Sequence, residues 1–296
     1  MKKPLVTALM TAALAGLGTA PAAALGPDLT SAPAAAQAPA AQPRAKVKAV
    51  DFAGTVALSN CSGSVVRPPS ASSADPALVM SNGHCLESGM PGAGEVVVDK
   101  ASSRSFSLLN SAGRKVATLR ATKVAYATMT DTDVSLYQLN TSYAAIESRY
   151  GIRALPLSAD RPAQGTAIKV VSGYWKRIYS CNVDGFAHRL REGEWTWKDS
   201  VRYTAACDTI GGTSGSPVVD AATGKVVAVN NTGNEDGERC TDNNPCEVDE
   251  NGTVTVREGI NYAQQTYGIT RCIGAGNKVD LTLPGCELPK PSGLRS

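Results

Sequence analysis

The stretch Gly211-Gly212-Thr213-Ser214-Gly215-Ser216-Pro217 sets one serine among glycines, and apolar Val218 and Val219 follow it. A serine nucleophile needs an exposed hydroxyl on a tight turn, with backbone N–H groups free to face a developing oxyanion. Glycine allows both, because it has no side chain and adopts positive φ readily. An ordinary Gly/Ser-rich hairpin turn has the same composition, so a partner base must decide between the two. The sequence has two histidines, His84 and His188. His84 closes Ser81-Asn82-Gly83-His84-Cys85, directly after the apolar run Ala77-Leu78-Val79-Met80. That pattern reads as a buried strand delivering a histidine at its end, beside a cysteine able to pin it. His188 lies in the basic stretch Gly185-Phe186-Ala187-His188-Arg189-Leu190-Arg191 and reads as structural or solvated.

These segments occur in order. Cys61-Ser62-Gly63-Ser64-Val65-Val66 comes first, then Leu78-Val79-Met80-Ser81-Asn82-Gly83-His84-Cys85, then Gly212-Thr213-Ser214-Gly215-Ser216-Pro217. Together they resemble the chymotrypsin/trypsin-like serine peptidases over roughly residues 52–267. The Ser-Gly-Ser-Pro ending is most similar to the bacterial glutamyl-endopeptidase-like branch. The resemblance implies a third residue, an aspartate opening a strand between the other two. The best match is Asp133 in Thr132-Asp133-Val134-Ser135-Leu136-Tyr137, with Asp131 as runner-up. The implied catalytic set is His84, Asp133 and Ser214, in the chymotrypsin order. Gly212 and Ser214 N–H groups would form the oxyanion hole.

The resemblance also frames specificity and activation. Asp208 lies six residues before Ser214, where trypsin-like members keep the acid that selects Arg or Lys at P1, the residue whose carbonyl is attacked. An aspartate there also occurs without that specificity in the Ser-Gly-Ser-Pro branch. Asp208 and Thr209, with Asn230 on the opposite wall, are the expected P1-pocket residues. Glutamate-specific relatives place a histidine near Asn230, and this sequence has none, which argues against strict glutamate specificity. Thr213 stands where animal-type members carry the aspartate that pairs with a newly cut N-terminus. Activation through that ion pair is therefore not expected.

The remaining sequence must supply the scaffold. Strand-like runs recur at 55–58, 63–66, 95–98, 115–126, 134–139, 167–171, 217–219, 225–229 and 253–256, separated by Gly, Pro, Ser and Asn. The expected fold is all-β: two six-stranded antiparallel β-barrels packed together, split near 143–162, with a short C-terminal helix at 261–267. Residues 1–25 read as a signal peptide, with Lys2 and Lys3 before a short apolar segment. Residues 26–46, rich in Ala and Pro, read as a propeptide or linker, leaving 47–296 as the peptidase domain. Eight cysteines behind an export signal imply disulfides and a secreted, extracellular protein. The family resemblance implies Cys61–Cys85. Proximity in sequence suggests Cys181–Cys207, Cys240–Cys246 and Cys272–Cys286.

Composition narrows the partners. The net charge is +3, of which Lys2, Lys3, Arg44 and Asp28 account for +2. The rest is nearly neutral, which gives no support for nucleic-acid or membrane binding. No cofactor and no metal are expected, since no Cys-x-x-Cys pair or Cys/His cluster exists. Residues 247–258 approach the spacing of an EF-hand loop, but the first position is Glu247 and flanking helices are lacking. A β-turn leading into a strand is the favoured reading. The expected protein is a monomeric secreted endopeptidase acting on proteins or peptides. The alternative is a catalytically silent member acting as a binding module.

Overall fold

The computed structural model describes residues 49–293. The expected signal peptide and propeptide lie outside the described residues.

The first half of the domain is a closed antiparallel barrel. Its strands are β1 (Thr55–Ala57), β2 (Ser62–Arg67), β3 (Pro76–Ser81), β4 (Val96–Ala101), β5 (Ser105–Leu109), β6 (Lys115–Thr128) and β7 (Val134–Ser142). Six of them pair in the order β1-β5-β6-β7-β3-β2, and β2 closes the ring on β1. β4 pairs with residues 123–128 of β6, beyond the 115–120 stretch that pairs with β5. α1 (Tyr143–Tyr150) follows β7. Ser142 caps it by accepting the Ala145 N–H at 3.2 Å, and Gly151 ends it at φ 66°. β8 (Leu155–Pro156) then runs parallel to β2.

The second half comprises β9 (Ala167–Ser172), β10 (Arg177–Glu192), β11 (Trp195–Tyr203), β12 (Pro217–Asp220), β13 (Val226–Gly233), β14 (Cys246–Val248), β15 (Val254–Val256) and β16 (Asn261–Gln265). The pairing β11-β16-β13-β12-β9-β10 closes through β10–β11, so this unit is also a six-stranded barrel. The β14–β15 hairpin hangs from β10.

The run Leu78-Val79-Met80 explains how the barrels meet. Val79 packs inside the first barrel with Val65, Leu108 and Tyr137. Leu78 and Met80 face the other way, into a separate cluster with Val171, Val219, Val226 and Val229 of the second barrel. A strand buried on both faces needs an unbroken apolar run instead of an alternating one. β3 is thus fixed from both sides, and its end is where His84 emerges.

Two expectations are corrected. Residues 261–265 form β16, because a strand is needed between β11 and β13 to close the barrel; the short helix α2 covers Tyr267–Thr270. β10 and β11 lie outside the expected strands. Their frequent charges mask a two-residue alternation that buries Tyr179, Cys181 and Val183 and, beyond an irregularity near Gly185, Ala187. The 247–258 segment is the β14–β15 hairpin. Glu247 is taken up by Arg202 and Arg257, and Asp249 accepts the Asn251 and Thr253 N–H groups of its own turn.

Candidate active site

Strand register brings the histidine and the aspartate together. Ser81 of β3 pairs with Ser135 of β7, so the residue before β7 lies beside the residues after β3. Asn82 Nδ2 donates to the Asp133 carbonyl at 2.8 Å, and Ser135 Oγ donates to the Asn82 carbonyl at 2.8 Å. Asp133 is fully buried. Its Oδ1 accepts the Gly83 N–H at 2.6 Å and the His84 N–H at 3.1 Å, while Oδ2 lies 2.6 Å from His84 Nδ1. The carboxylate therefore orients the ring and is held by the same loop it orients. Asp131, the runner-up, pairs with Lys198 instead. His188 lies near Glu250 on the surface.

Burial acts to lower the His84 pKa, but the Asp133 charge and hydrogen bond, helped by the Glu192 charge, outweigh it. The net displacement is upward from 6.5. The Cys61–Cys85 disulfide fixes the residue after His84 to the residue before β2. Cys181–Cys207, Cys240–Cys246 and Cys272–Cys286 are the other disulfides. Cys61, His84 and Cys85 form a metal-like grouping, but both sulfurs are spent on each other.

Ser214 lies on the loop before β12 and is seated against the first barrel. Its carbonyl accepts the Ser62 N–H of β2 at 2.8 Å. Gly215 has φ 80°, and a Cβ there would lie 2.1 Å from Ser62 O and 2.2 Å from Ser81 Oγ. Any larger residue would lift the loop off β2. Ser214 Oγ donates to the Asn231 carbonyl at 3.3 Å and makes no hydrogen bond to His84. His84, Asp133 and Ser214 line one cavity of about 240 Å³.

Two N–H groups beside Ser214 are left open. Among the described residues, neither the Gly212 nor the Ser214 N–H has an acceptor. The carbonyls around them are held elsewhere. Trp175, in the β9–β10 turn, donates its indole N–H to Gly211 O at 2.7 Å. Ser62 Oγ donates to Gly212 O at 3.1 Å, and Ser172 Oγ lies 3.0 Å from Ser62 Oγ. In a trans peptide the N–H points opposite the carbonyl. Holding Gly211 O toward Trp175 therefore turns the Gly212 N–H away from it. Thr213 is buried, and its hydroxyl donates to Ile210 O within the same turn.

The expected P1 residues divide. Thr209 and Asn230 line the cavity. Thr209 Oγ1 donates to Asn261 Oδ1 at 2.7 Å, and Asn230 Oδ1 accepts the Tyr203 hydroxyl at 3.1 Å. Asp208 is exposed and does not line the cavity, so it supplies no charge at its base. The sequence reading did not single out Glu192, Trp195, Trp197 or Asn261, which all line it. Glu192 and Trp195 flank the β10–β11 turn, and only the tightly spaced Trp195-Thr196-Trp197 pair could have hinted at a wall there.

A family model for the trypsin-like peptidase domain matches residues 61–229, more than half of the chain. The match is to the family as a whole, not to the glutamyl-endopeptidase branch. No curated protein matches the chain. Similar solved structures include the MamO protease domain from Magnetospirillum magneticum, 13% identical at TM-score 0.44, covering 73% of this chain and 93% of that one. The active form of the Rv3671c protease from M. tuberculosis is 14% identical at TM-score 0.45, covering 82% and 86%. The Nocardiopsis protease is 10% identical at TM-score 0.40, covering 73% and 93%. The chain belongs to the trypsin-like peptidase family.

Proposed function

We propose that this protein is a secreted serine endopeptidase that hydrolyses peptide bonds through an acyl-enzyme intermediate. The observation that carries the reading is the buried Asp133–His84 pair opening onto the cavity that Ser214 also lines. Ser214 Oγ attacks the carbonyl of a bound peptide. His84 takes the proton and returns it to the leaving amine. Asp133 holds the tautomer with the proton on Nδ1 and stabilises the imidazolium. The open Gly212 and Ser214 N–H groups receive the oxyanion. In the acting enzyme the Ser214 hydroxyl would leave Asn231 O and donate to His84 Nε2. In this reading residues 1–25 direct export, 26–46 are a pro-segment, and the four disulfides suit an oxidising compartment.

Labelling with a fluorophosphonate followed by peptide mapping tests the proposal. Modification at Ser214 is the expected result. A folded, mature protein that takes no label would instead be a silent member acting as a binding module.

Trp175 gives a further expectation. Trp175→Phe keeps the ring and removes the N–H that holds Gly211 O. A freed peptide can rotate and withdraw the Gly212 N–H. Loss of a whole oxyanion donor costs about 10²–10³ in kcat, so partial loss should cost about tenfold. Steady-state kinetics should place that loss in kcat and leave KM nearly unchanged. An equal rise in KM would mean that Trp175 contacts substrate instead.

A further inference from the structure

We infer that the recess between Glu192 and the indole of Trp195 takes a cationic side chain of the substrate at P2, the residue preceding P1. The inference rests on the serine-peptidase reading. Four carboxylates line the cavity, Asp133, Glu192, Glu235 and Asp242, and no lysine or arginine does. Asp133 is committed to His84 and the Gly83 and His84 N–H groups. Glu235 and Asp242 are exposed at the rim. Glu192 differs from all three. It is only 9% exposed. Its Oε1 accepts the Asn243 N–H at 2.8 Å. Its Oε2 is buried with no donor in good hydrogen-bonding geometry, although the Thr232 hydroxyl stands nearby, and it has no ion-pair partner among the described residues.

A buried carboxylate oxygen without a donor is costly, and such groups are normally paired. Burial chiefly raises the Glu192 pKa, the nearby Thr232 hydroxyl and Asn243 N–H act against it, and the net displacement is upward. An arriving ammonium or guanidinium would supply a well-aligned donor and a matching charge, neither of which the Thr232 hydroxyl provides. The walls suit the same guest. The Trp195 and Trp197 N–H groups are already spent on the Pro91 and Met129 carbonyls, at 2.9 Å each. Trp195, only partly buried, still offers its π surface, which attracts cations, and buried Trp197 packs behind it.

The position follows from the layout. The P1 wall at Thr209, Asn230 and Asn261 is polar and uncharged. Asp131, two residues before Asp133, is bridged to β11, its N–H donating to Thr196 O at 3.1 Å and its carbonyl accepting the Lys198 N–H at 2.8 Å, so the β10–β11 hairpin that carries Glu192 lies on the His84–Asp133 side of the cavity. Successive side chains of an extended peptide point to opposite faces. A P1 side chain lodged at Thr209 and Asn261 therefore sends the P2 side chain the other way, toward Glu192.

The test uses peptides identical except at P2, carrying lysine, its uncharged isostere norleucine, or glutamate. The wild-type protein should favour lysine over norleucine by about 10- to 100-fold in kcat/KM, the range of one charge-assisted contact. Glutamate should be cleaved most slowly. Glu192→Gln keeps an acceptor for Asn243 and should bring the lysine-to-norleucine ratio close to one. A wild-type ratio near one, in protein whose Ser214 takes the fluorophosphonate label, overturns the inference and leaves the peptidase reading standing. A high ratio that survives Glu192→Gln overturns the assignment to Glu192. Wild-type protein that neither labels nor cleaves any peptide overturns the reading and the inference with it. The wild-type ratio needs no variant, so it decides even if Glu192→Gln does not fold.

Discussion

Ser214→Ala is expected to lower kcat by about a millionfold, the loss found when a serine nucleophile is removed from a working triad. The fold should hardly register the change. Ser214 Oγ makes one long hydrogen bond, 3.3 Å to Asn231 O. The loop is held by its backbone: Ser62 N–H to Ser214 O at 2.8 Å, Gly215 N–H to Asn230 O at 2.9 Å and Ser216 N–H to Thr213 O at 3.0 Å. Removing the hydroxyl leaves all three in place, so the stability cost should be under about 1 kcal/mol. Peptide hydrolysis and thermal unfolding, measured on one preparation, separate the two effects. Activity within tenfold of the parent would remove Ser214 from the mechanism.

Asp133→Asn should cost about 10⁴-fold in kcat for a different reason. The asparagine carbonyl can still accept the Gly83 and His84 N–H groups that Asp133 Oδ1 accepts now, at 2.6 and 3.1 Å. Its amide then faces His84 Nδ1 as a donor. The ring must answer with an acceptor, which moves its proton to Nε2 and disables it as a base toward Ser214. The pH profile carries a second mark. In the parent, the acid limb of kcat/KM should have its midpoint above 6.5, because His84 must be neutral to act and its pKa is raised. Without the Asp133 charge and hydrogen bond, burial is left to lower that pKa. The acid limb of the residual activity should therefore move to lower pH. A limb that stays put would mean that another group controls the titration.

The parts of this site that sequence makes legible are those set by short, local demands. A glycine-framed serine and a histidine at the end of an apolar run are local patterns, whereas the aspartate at the start of a strand is singled out only by the resemblance those segments carry. Their assembly depends on β3–β7 register, a pairing between distant segments that neither run encodes by itself. The substrate side is different. Glu192 and Trp197 lie on strands whose charged residues hide the alternation, and Asn261 reaches the cavity only because β16 closes the second barrel. Barrel closure is a tertiary demand, and it overrode the local helical reading of 261–267. Asp208 misled for a related reason. Its spacing from Ser214 fits a pocket acid, but the direction of its side chain depends on loop geometry that spacing does not encode.

The Cys61–Cys85 bond reaches further than its loop. At one end it holds the neighbour of the candidate base. At the other it holds the neighbour of Ser62, whose N–H grips the Ser214 carbonyl and whose hydroxyl grips Gly212 O. One covalent link thus stands behind base, nucleophile and oxyanion donor together. On the proposed reading, a chain whose Cys61 and Cys85 are reduced would lose the covalent tie behind all three at once, with only hydrogen bonds left to align them.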